Sequence, residues 1–549
     1  MRLIHSVTRQ LQDFSQGEVP PYAILSHTWG EEEVSFQNIS SPRCELYKGY
    51  GKILQACNVA AEHGLEYVWI DTCCIDKTNS AELMESINSM YSWYSDAVVC
   101  YVYLEDLGPD SKIEDSLQGC RWFTRGWTLQ ELLAPRIVEL YDKDWCFRGT
   151  SLDFVHCISR ITGIEQSVLR GGAIADCSVA MRMSWAARRR TTRIEDISYC
   201  LLGIFDVHMP LMYGEGSAAF RRLQEEIIKR NNDTTIFAWE NDLSQDPKLL
   251  GAFAPSPAFF KDCSQVGPFA GQFPDFSATN KGILVSPEMH VRAVSTEKYD
   301  AGSAGHLRTR SYLLYLGHHV MHCDVVGIHL RKIGPNLFCR DGTRHLAGLG
   351  ESENFETDRE ATKSQCYIIT DVRTQIQGLI SNYRRDTVHI PVTSPVPVGL
   401  LQMAPEPLWD HSDRVVLLPQ YDSFTIYPMV FAALFQYHDT NQSFEFIVFC
   451  DHRGVIPLCK LSYARNHSAE LFRGKYRWEY LDWYERDAEF LHSPTLTDTL
   501  DFEDGQSVHR FKLSAFFKTE RVSGFFGDHE SFCLNFKLEK VQQRMKSKL

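Results

Sequence analysis

The first 150 residues alternate between short apolar runs and amphipathic segments. Apolar runs at 22–26, 67–70, 97–104 and 137–141 predict strands, and segments 52–63 and 81–95 carry apolar residues at helical spacing. Strands that are apolar throughout and alternate with helices indicate a parallel sheet covered on both faces. We therefore expect residues 1–150 to form an α/β domain with a flavodoxin-like parallel sheet.

Two local signals set the predicted helix ends. Gly64 follows the first helical segment, as expected for a helix that stops at a glycine. Asn79 with Glu82 three residues later resembles a capping box at the start of the second helix, although Ser or Thr is the usual first member.

The pattern changes twice along the rest of the chain. Residues 151–240 read as a mainly helical extension, whose last helix has Phe220, Leu223 and Ile227 on one side. From residue 241 onwards, apolar and polar residues alternate at period two, which predicts an antiparallel β-rich domain over 241–549. Two examples of this alternation are Tyr476/Trp478/Tyr480 and Phe532/Leu534/Phe536/Leu538. The acidic stretch 351–359 is predicted to be an exposed loop.

Composition narrows the class of protein. The 549 residues are 44% hydrophobic, and 56 basic against 70 acidic residues give a net charge of −14, which argues against nucleic-acid binding as the main function. No secretion signal is present, and no apolar run reaches the roughly 20 residues of a membrane span. We expect a cytoplasmic protein whose 17 cysteines are mainly reduced and buried.

Several standard catalytic and binding motifs are absent. Gly49 to Lys52 resembles a phosphate loop, but Leu46 and Ile53 break the Walker pattern. His318, His319, His322 and Cys323 cluster without a second ligand pair at finger-like spacing, so ordinary strand or turn residues are favoured over zinc and no metal site is predicted. Cys73 and Cys74 are favoured as buried, inert thiols over a nucleophile.

Polar residues follow two of the predicted strands. His27 and Thr28 come after the first strand, and Asp71 and Thr72 come after the second. Ligands of parallel α/β sheets bind beyond the carboxyl ends of the strands. These residues therefore lie where a site is expected.

The stretch from Arg121 to Ala134 concentrates chemistry-bearing side chains, namely Arg121, Arg125, Trp127, Gln130 and Glu131. Trp127 and Glu131 are four residues apart, so on a helix they share a face. A carboxylate beside an aromatic plane suits a ligand with a flat ring and a sugar. It equally suits a core tryptophan capped by an ion pair with Arg125.

Three segments in this order closely resemble the signature blocks of the fungal heterokaryon-incompatibility (HET) domain. They are Tyr-Ala-Ile-Leu-Ser-His-Thr-Trp-Gly at 22–30, Trp-Ile-Asp-Thr-Cys-Cys-Ile-Asp at 69–76, and Arg-Gly-Trp-Thr-Leu-Gln-Glu at 125–131. Segments 196–206 and 212–216 look like the extension that follows this domain in many such proteins. The resemblance covers about residues 1–240 and implies a role in non-self recognition and regulated cell death.

HET domains are also distantly similar to Toll/interleukin-receptor (TIR) domains. Trp127 to Leu132 is similar to the segment that holds the catalytic carboxylate of NAD-cleaving TIR enzymes, with Thr128 in place of the usual cysteine. The analogy implies that Glu131 is catalytic and that NAD is a substrate rather than a bound cofactor.

The same analogy suggests binding roles for the surrounding side chains, each weighed against a structural one. His27, Asp71 and Gln130 would bind ribose or the amide, Trp29 or Trp127 would stack on a ring, and Arg121 and Arg125 would meet the pyrophosphate. Alternatively, Asp71 caps a neighbouring helix and Trp29 closes the core.

Two functions therefore remain open. One is an NAD-consuming effector that works as a homo-oligomer once activated. The other is a non-enzymatic signalling module that recruits protein partners. The basic cluster Arg188–Arg190 is favoured as a surface or interface feature over a nuclear signal.

Overall fold

The computed structural model describes most of the amino-terminal half and the strands of the carboxy-terminal half. The described residues are 1–15, 17–241, 249–267, 275–286, 291–295, 310–319, 325–343, 345–349, 366–372, 388–390, 396–404, 408–411, 414–417, 430–438, 443–451, 457–463, 497–503, 510–524 and 527–541. The predicted loop at 351–359 and the Tyr476/Trp478/Tyr480 alternation lie outside these residues.

An α/β sheet with flanking helices occupies the first 150 residues. Its strands are β1 (Arg2–His5), β2 (Leu11–Asp13), β3 (Tyr22–His27), β4 (Tyr67–Trp69), β5 (Val99–Tyr103), β6 (Val138–Tyr141) and β7 (Phe147–Thr150). Its helices are α1 (Phe36–Ile39), α2 (Tyr50–Glu62), α3 (Asp71–Cys74), α4 (Ser80–Asp96), α5 (Ile113–Ser116) and α6 (Thr128–Leu133). The predicted α/β class is confirmed.

The strand order identifies where a ligand is expected. The sheet runs β2-β1-β4-β3-β5-β6-β7, and β4, β3, β5 and β6 are mutually parallel. The chain leaves β3 for β4 on one side and then crosses to β5 on the other side. This reversal places a crevice at the carboxyl ends of β3 and β5, the usual ligand position of doubly wound sheets.

The sheet is mixed, whereas the sequence predicted parallel strands only. Strands β1 and β2 form an antiparallel hairpin on β4, and β7 pairs antiparallel with β6. These edge strands are only partly buried, and β2 and β7 contain no buried residue, so they lack the continuous apolar run that marks the inner strands. By contrast, all six residues of β3 are buried, which explains why its apolar run was easy to recognise.

The predicted helix ends hold in part. Gly64 has a φ of +73°, the left-handed conformation expected after a helix. The Asn79 side chain accepts hydrogen bonds from the amides of Ala81 and Glu82 at 3.1 and 3.3 Å. The Glu82 carboxylate does not complete a capping box, because it binds Arg2 and the Asp76 amide instead.

A helical segment packs against the sheet domain. It contains α7 (Val155–Thr162), α8 (Gln166–Leu169), α9 (Val179–Ala186), α10 (Asp196–Tyr199) and α11 (Ala218–Ile228). Phe220, Leu223 and Ile227 of α11 are buried, as predicted. Gly203 lies so close to Tyr91 of α4 that an added Cβ would meet the Tyr91 Cβ at 2.2 Å.

The carboxy-terminal half is rich in strands, as predicted. The described strands are β8 (Leu249–Leu250), β9 (Val266–Gly267), β10 (Phe276–Thr279), β11 (Gly282–Val285), β12 (Val291–Ser295), β13 (Arg310–His319), β14 (Val325–Gly334), β15 (Leu337–Asp341), β16 (Ala347–Leu349), β17 (Cys366–Ile368), β18 (Val388–His389), β19 (Val398–Ala404), β20 (Trp409–Asp410), β21 (Val415–Val416), β22 (Val430–His438), β23 (Ser443–Asp451), β24 (Leu458–Tyr463), β25 (Thr497–Glu503), β26 (Arg510–Gly524) and β27 (Gly527–Val541). They form three sheets, with backbone orders β10-β11-β17-β15-β14-β13-β12, β20-β21-β18-β27-β26-β25 and β19-β22-β23-β24.

Hydrophobic packing joins the sheet domain to the helical segment and to the first strands of the carboxy-terminal half. One cluster of buried residues extends from Leu3 to Ile368, and a second extends from Val388 to Phe536. Arg340 of β15 donates a 2.8 Å hydrogen bond to the Phe237 carbonyl and lies over the Trp239 ring. The predicted domain boundaries at 150 and 240 remain predictions, and the first core crosses both.

Two further observations concern the cysteines and the membrane. Of the 16 cysteines in the described part of the chain, all but Cys146 are buried. None of the described helices is both long and apolar enough to cross a bilayer.

We expect Gly203→Ala to destabilise the fold by about 1–3 kcal/mol, because the new methyl group would overlap Tyr91 in a packed interior. Urea unfolding at constant pH measures this. The control is Gly119→Ala, where an added Cβ meets nothing within 4 Å. Equal stability of the two variants would contradict the close packing between α4 and the helical segment.

Candidate functional site

The polar residues predicted from the strand ends come together at the carboxyl edge of the first sheet. His27 is the last residue of β3, Asp71 is the first residue of α3 after β4, and Glu131 lies in α6. Because β3 and β4 are parallel neighbours, their carboxyl ends meet at one edge. The order of the strands makes His27 and Asp71 neighbours, and α6 brings Glu131 to the same edge through its contact with Ser26.

His27, Trp29, Asp71 and Lys77 form a group that we call the Asp71 cluster. The Trp29 indole donates a 2.9 Å hydrogen bond to one Asp71 carboxylate oxygen. His27 Nε2 lies 3.3 Å from the other oxygen. Lys77 Nζ sits 3.6 Å above the centre of the Trp29 ring, a cation–π contact. The Trp29 side chain is 42% exposed, so the cluster opens to solvent.

The Asp71 carboxyl is held in its charged form. Burial alone would raise its pKa, but the charge of Lys77, the contact with His27 and the Trp29 hydrogen bond together lower the pKa to about 2. Asp71 is therefore ionised throughout the physiological pH range. It supplies a fixed negative charge beside a half-exposed aromatic ring.

Lys52 supports the same edge from α2. Its amine donates hydrogen bonds of 2.6 Å to Glu33 and 3.0 Å to the Thr28 carbonyl, and lies 3.4 Å from His27 Nδ1. Gly49 packs closely here, because an added Cβ would lie 3.0 Å from Glu33 Cα. Lys52, which follows the glycines of a sequence that only resembles a phosphate loop, thus positions the chain after β3.

Glu131 is buried and 7% exposed, whereas Trp29 of the Asp71 cluster is 42% exposed. The Ser26 hydroxyl donates a hydrogen bond to Glu131 Oε2. The Trp122 indole in turn donates to Ser26 Oγ at 2.7 Å. Ser26 therefore directs its single proton towards the glutamate. These polar contacts link the carboxyl end of β3 to α6.

The Glu131 carboxyl is biased towards its neutral form. Burial raises its pKa to about 8, and the Asp71 charge adds to this, while Ser26, Arg125 and Arg189 act in the opposite direction. At neutral pH this glutamate is mostly protonated in the conformation described. Neighbouring carboxyls whose pKa values are pushed apart are typical of functional sites, although structural networks produce them too.

The other predicted site residues are distributed differently. Arg121 is exposed and reaches Thr28 Oγ1 at 3.3 Å and Glu105 at 3.4 Å, so it lies at the rim of the same edge. Arg125 is half-buried and its charge acts on Glu131.

The side chains of Trp127 and Gln130 make their polar contacts away from His27 and Asp71. The Trp127 side chain bonds to Asp196, and the buried Gln130 amide contacts the Met90 sulfur at 2.9 Å. Neither is brought to the edge formed by His27, Asp71 and Glu131.

Sequence reasoning missed several residues of the site, namely Ser26, Lys52, Lys77 and Trp122. Ser26 and Trp122 stand next to recognised motif residues, so their position was the available signal. Nothing in the sequence pattern connected Lys52 or Lys77 with Asp71. Their contacts depend on how α2 and the chain after α3 fold back over the strand ends.

The described residues include no group of three or more His, Cys, Asp or Glu side chains arranged to hold a metal ion. In the histidine-rich segment, His318 and His319 lie in β13. His322 and Cys323 are outside the described residues.

The fold and the strand-end site define an α/β protein with an acidic centre, and comparison with known sequences gives its class. Residues 22–118 match the profile of the heterokaryon incompatibility protein (HET) family, and residues 218–323 match a domain of unknown function, DUF8212. The chain thus contains a segment, residues 22–118, that is similar to the HET domain. The HET match contains His27, Trp29 and Asp71 but ends before Arg121 and Glu131.

A curated relative supports the same assignment. Over 231 residues the chain is 48% identical to vegetative incompatibility protein HET-E-1 of Podospora anserina, an alignment that covers 40% of this chain and 17% of the relative. The chain therefore spans about a sixth of the length of that protein. No solved structure matches the chain significantly.

We expect the Glu131 proton to make stability depend on pH. The folded chain keeps this proton up to about pH 8, whereas the unfolded chain releases it near pH 4. Its contribution is therefore fully present below about pH 4 and lost as pH rises to about 8, at up to about 1.4 kcal/mol per pH unit. Asp71 behaves oppositely, since its lowered pKa makes stability fall only in strong acid.

Urea unfolding between pH 5 and pH 8 tests this, with Glu131→Gln as the reference. The wild-type chain should lose stability relative to the glutamine variant as pH rises, because glutamine has no proton to hold. A stability difference that stays constant over this range would mean that Glu131 is ionised in the folded chain.

Proposed function

We propose that this chain is a fungal effector of non-self recognition and regulated cell death, and that it cleaves NAD at the nicotinamide–ribose bond when assembled. The biological role is supported by the HET match and by the name of the vegetative incompatibility relative. The cytoplasm is the compartment in which we expect it to act. The enzymatic part depends on one observation, the buried Glu131 carboxyl at the carboxyl edge of the sheet.

Hydrolysis of the nicotinamide–ribose bond requires few catalytic groups from the protein. The nicotinamide nitrogen leaves with the electron pair of its bond to ribose C1′, water adds to C1′, and the products are nicotinamide, ADP-ribose and a proton. The transition state has oxocarbenium character, as in glycoside hydrolysis. Nicotinamide leaves as a neutral molecule, so no general acid is required. A carboxylate near C1′ stabilises the developing positive charge.

Glu131 has to be ionised for this role. In the conformation described it is neutral near pH 7, because burial raises its pKa to about 8. A cationic nicotinamide ring beside it would lower that pKa, since an opposite charge favours the carboxylate. We propose that substrate binding and assembly into a homo-oligomer together produce the ionised form.

The rim residues suit the nicotinamide ring and the phosphates of the dinucleotide. Trp29 is half-exposed and offers a ring surface, and Asp71 gives a fixed negative charge beside it. Arg121 is exposed and can meet phosphate. We assign His27 to the same rim through its contact with Asp71. Trp127 and Gln130 receive no substrate contact, because their side chains bind Asp196 and Met90.

The alternative is a non-enzymatic module that signals by assembly with partner proteins. The burial of Glu131 and its bond to Ser26 favour this function, since both also suit a residue that only maintains the fold. Under this alternative the Asp71 cluster would be part of an interface. Measuring NAD cleavage separates the two functions.

We expect the 549-residue chain, concentrated or fused to an oligomerising tag, to release nicotinamide from NAD. Glu131→Gln should lower the rate of nicotinamide release at least 100-fold, because it removes the ionisable carboxyl. The matched control is Glu85→Gln, an exposed glutamate on α4, which should keep the wild-type rate. Nicotinamide is measured by chromatography. An assembled, folded wild-type chain without cleavage would support the non-enzymatic module.

We expect Lys77→Met to tighten NAD⁺ binding about two- to fivefold, because a cation–π contact at an exposed site is worth about 0.5–1 kcal/mol and Lys77 occupies the Trp29 face. NADH, whose nicotinamide ring is neutral, is the matched ligand and should gain less. Calorimetric titration with Glu131→Gln in the background avoids turnover. Equal gains for NAD⁺ and NADH would exclude Trp29 as the subsite for the cationic ring.

A further inference from the structure

Arg189 is the buried member of a run of three arginines. Arg188 and Arg190 are exposed, whereas Arg189 is only 7% exposed. The sequence predicted a surface or interface cluster, and this holds for two of the three residues. Arg189 follows α9 and belongs to the helical segment, outside the sheet that carries the site.

The Arg189 guanidinium holds the turn that leads into α6. Its Nη1 donates 2.8 Å hydrogen bonds to the Arg125 carbonyl and to Thr128 Oγ1. Thr128 Oγ1 in turn donates to the Trp122 carbonyl at 2.5 Å. Trp122 is the residue that bonds Ser26, so these contacts connect Arg189 to both sides of the Glu131 site.

The backbone beside Arg189 joins the same turn. The Arg190 amide donates to the Thr124 carbonyl at 2.7 Å, and the Gly126 amide donates to the Arg190 carbonyl at 2.9 Å. An added Cβ at Gly126 would lie 2.5 Å from the Thr191 methyl carbon, so glycine is required for this close approach. The start of α6 is therefore fixed by the helical segment.

The charge of Arg189 has no ion-pair partner among the described residues. No carboxylate lies within 4.0 Å of its guanidinium, and its Nη2 is buried without a hydrogen bond to the described part of the chain. Burial lowers its pKa to about 10, while the Cys200 thiol and Glu131 act in the opposite direction. A buried, unpaired cation is costly, which indicates that its charge serves a nearby group.

We infer that Arg189 is a positioning residue for Glu131: it fixes the start of α6 and provides a buried positive charge for the Glu131 carboxylate. This inference deepens the proposed function and depends on it for its catalytic meaning. It also assigns the helical segment a direct part in the site, although the HET match ends at residue 118. Both α6 and Arg189 lie beyond that match.

Other titratable or charged groups also act on Glu131. They are Asp71, Tyr94, Cys100, Arg125 and Cys200, together with Arg189 itself. The thiols and the tyrosine are neutral near pH 7, because burial raises their pKa values. Arg125 is the other positive charge, and it is half-buried rather than buried.

The test measures the titration of Glu131 directly, from the infrared band of its buried carboxylic acid as pH is varied. The band is assigned by its absence in Glu131→Gln. Arg189→Gln keeps an amide donor and removes the charge, so it should raise the Glu131 midpoint by about one pH unit. Arg188→Gln and Arg190→Gln, which remove exposed charges from the same run, should leave it unchanged. An Arg189→Gln midpoint equal to that of these controls would overturn the inference.

The variant Arg189→Lys separates the effect of the Arg189 charge on Glu131 from the effect of its hydrogen bonds on the position of α6. Lysine keeps the charge but cannot reproduce the planar fork of bonds, so the midpoint should move less than in Arg189→Gln while NAD cleavage falls. If Arg189→Gln does not fold, the lysine variant decides: a wild-type midpoint together with wild-type cleavage would overturn the inference. If the wild-type chain cleaves no NAD, the proposed function fails, whereas the Arg189 effect on the Glu131 midpoint is still measured.

Discussion

The site depends on a carboxyl group placed in the interior at the end of a parallel strand. Glu131 accepts a hydrogen bond from Ser26, and Ser26 accepts one from Trp122, so one polar network joins β3, α6 and the turn that precedes α6. Removing such a carboxyl from water is costly unless it is neutral or compensated by a positive charge. Burial therefore determines its protonation state, and its protonation state determines what the site can do.

Two carboxyl groups at this edge have opposite characters. Asp71 accepts a hydrogen bond from the Trp29 indole, feels the charge of Lys77 and remains charged, whereas burial makes Glu131 tend to be neutral. The difference is set by their surroundings rather than by their chemical type. The site therefore combines a charged Asp71 at its open rim with a buried, neutral Glu131. A cationic ligand bound between them would favour the ionised form of Glu131.

The helical segment and the sheet are parts of one packed structure. Gly203 contacts Tyr91 on α4, Gly126 admits the backbone of Arg190, and a single hydrophobic core continues to Ile368. An added side chain at Gly126 would displace the start of α6 from the helical segment. The residues after the first sheet thus maintain the geometry of its strand ends.

The sequence by itself determined the α/β class, the β-rich second half and the three motif segments, because buried strands and amphipathic helices leave periodic apolar patterns that need no tertiary context. It did not reveal the edge strands β1, β2 and β7, which are only partly buried and therefore lack a continuous apolar run. Only the tertiary structure decided that Gln130 packs on Met90 and that Arg189 is buried. The physical reason is that burial and charge partners arise from segments distant in sequence, which local spacing does not record.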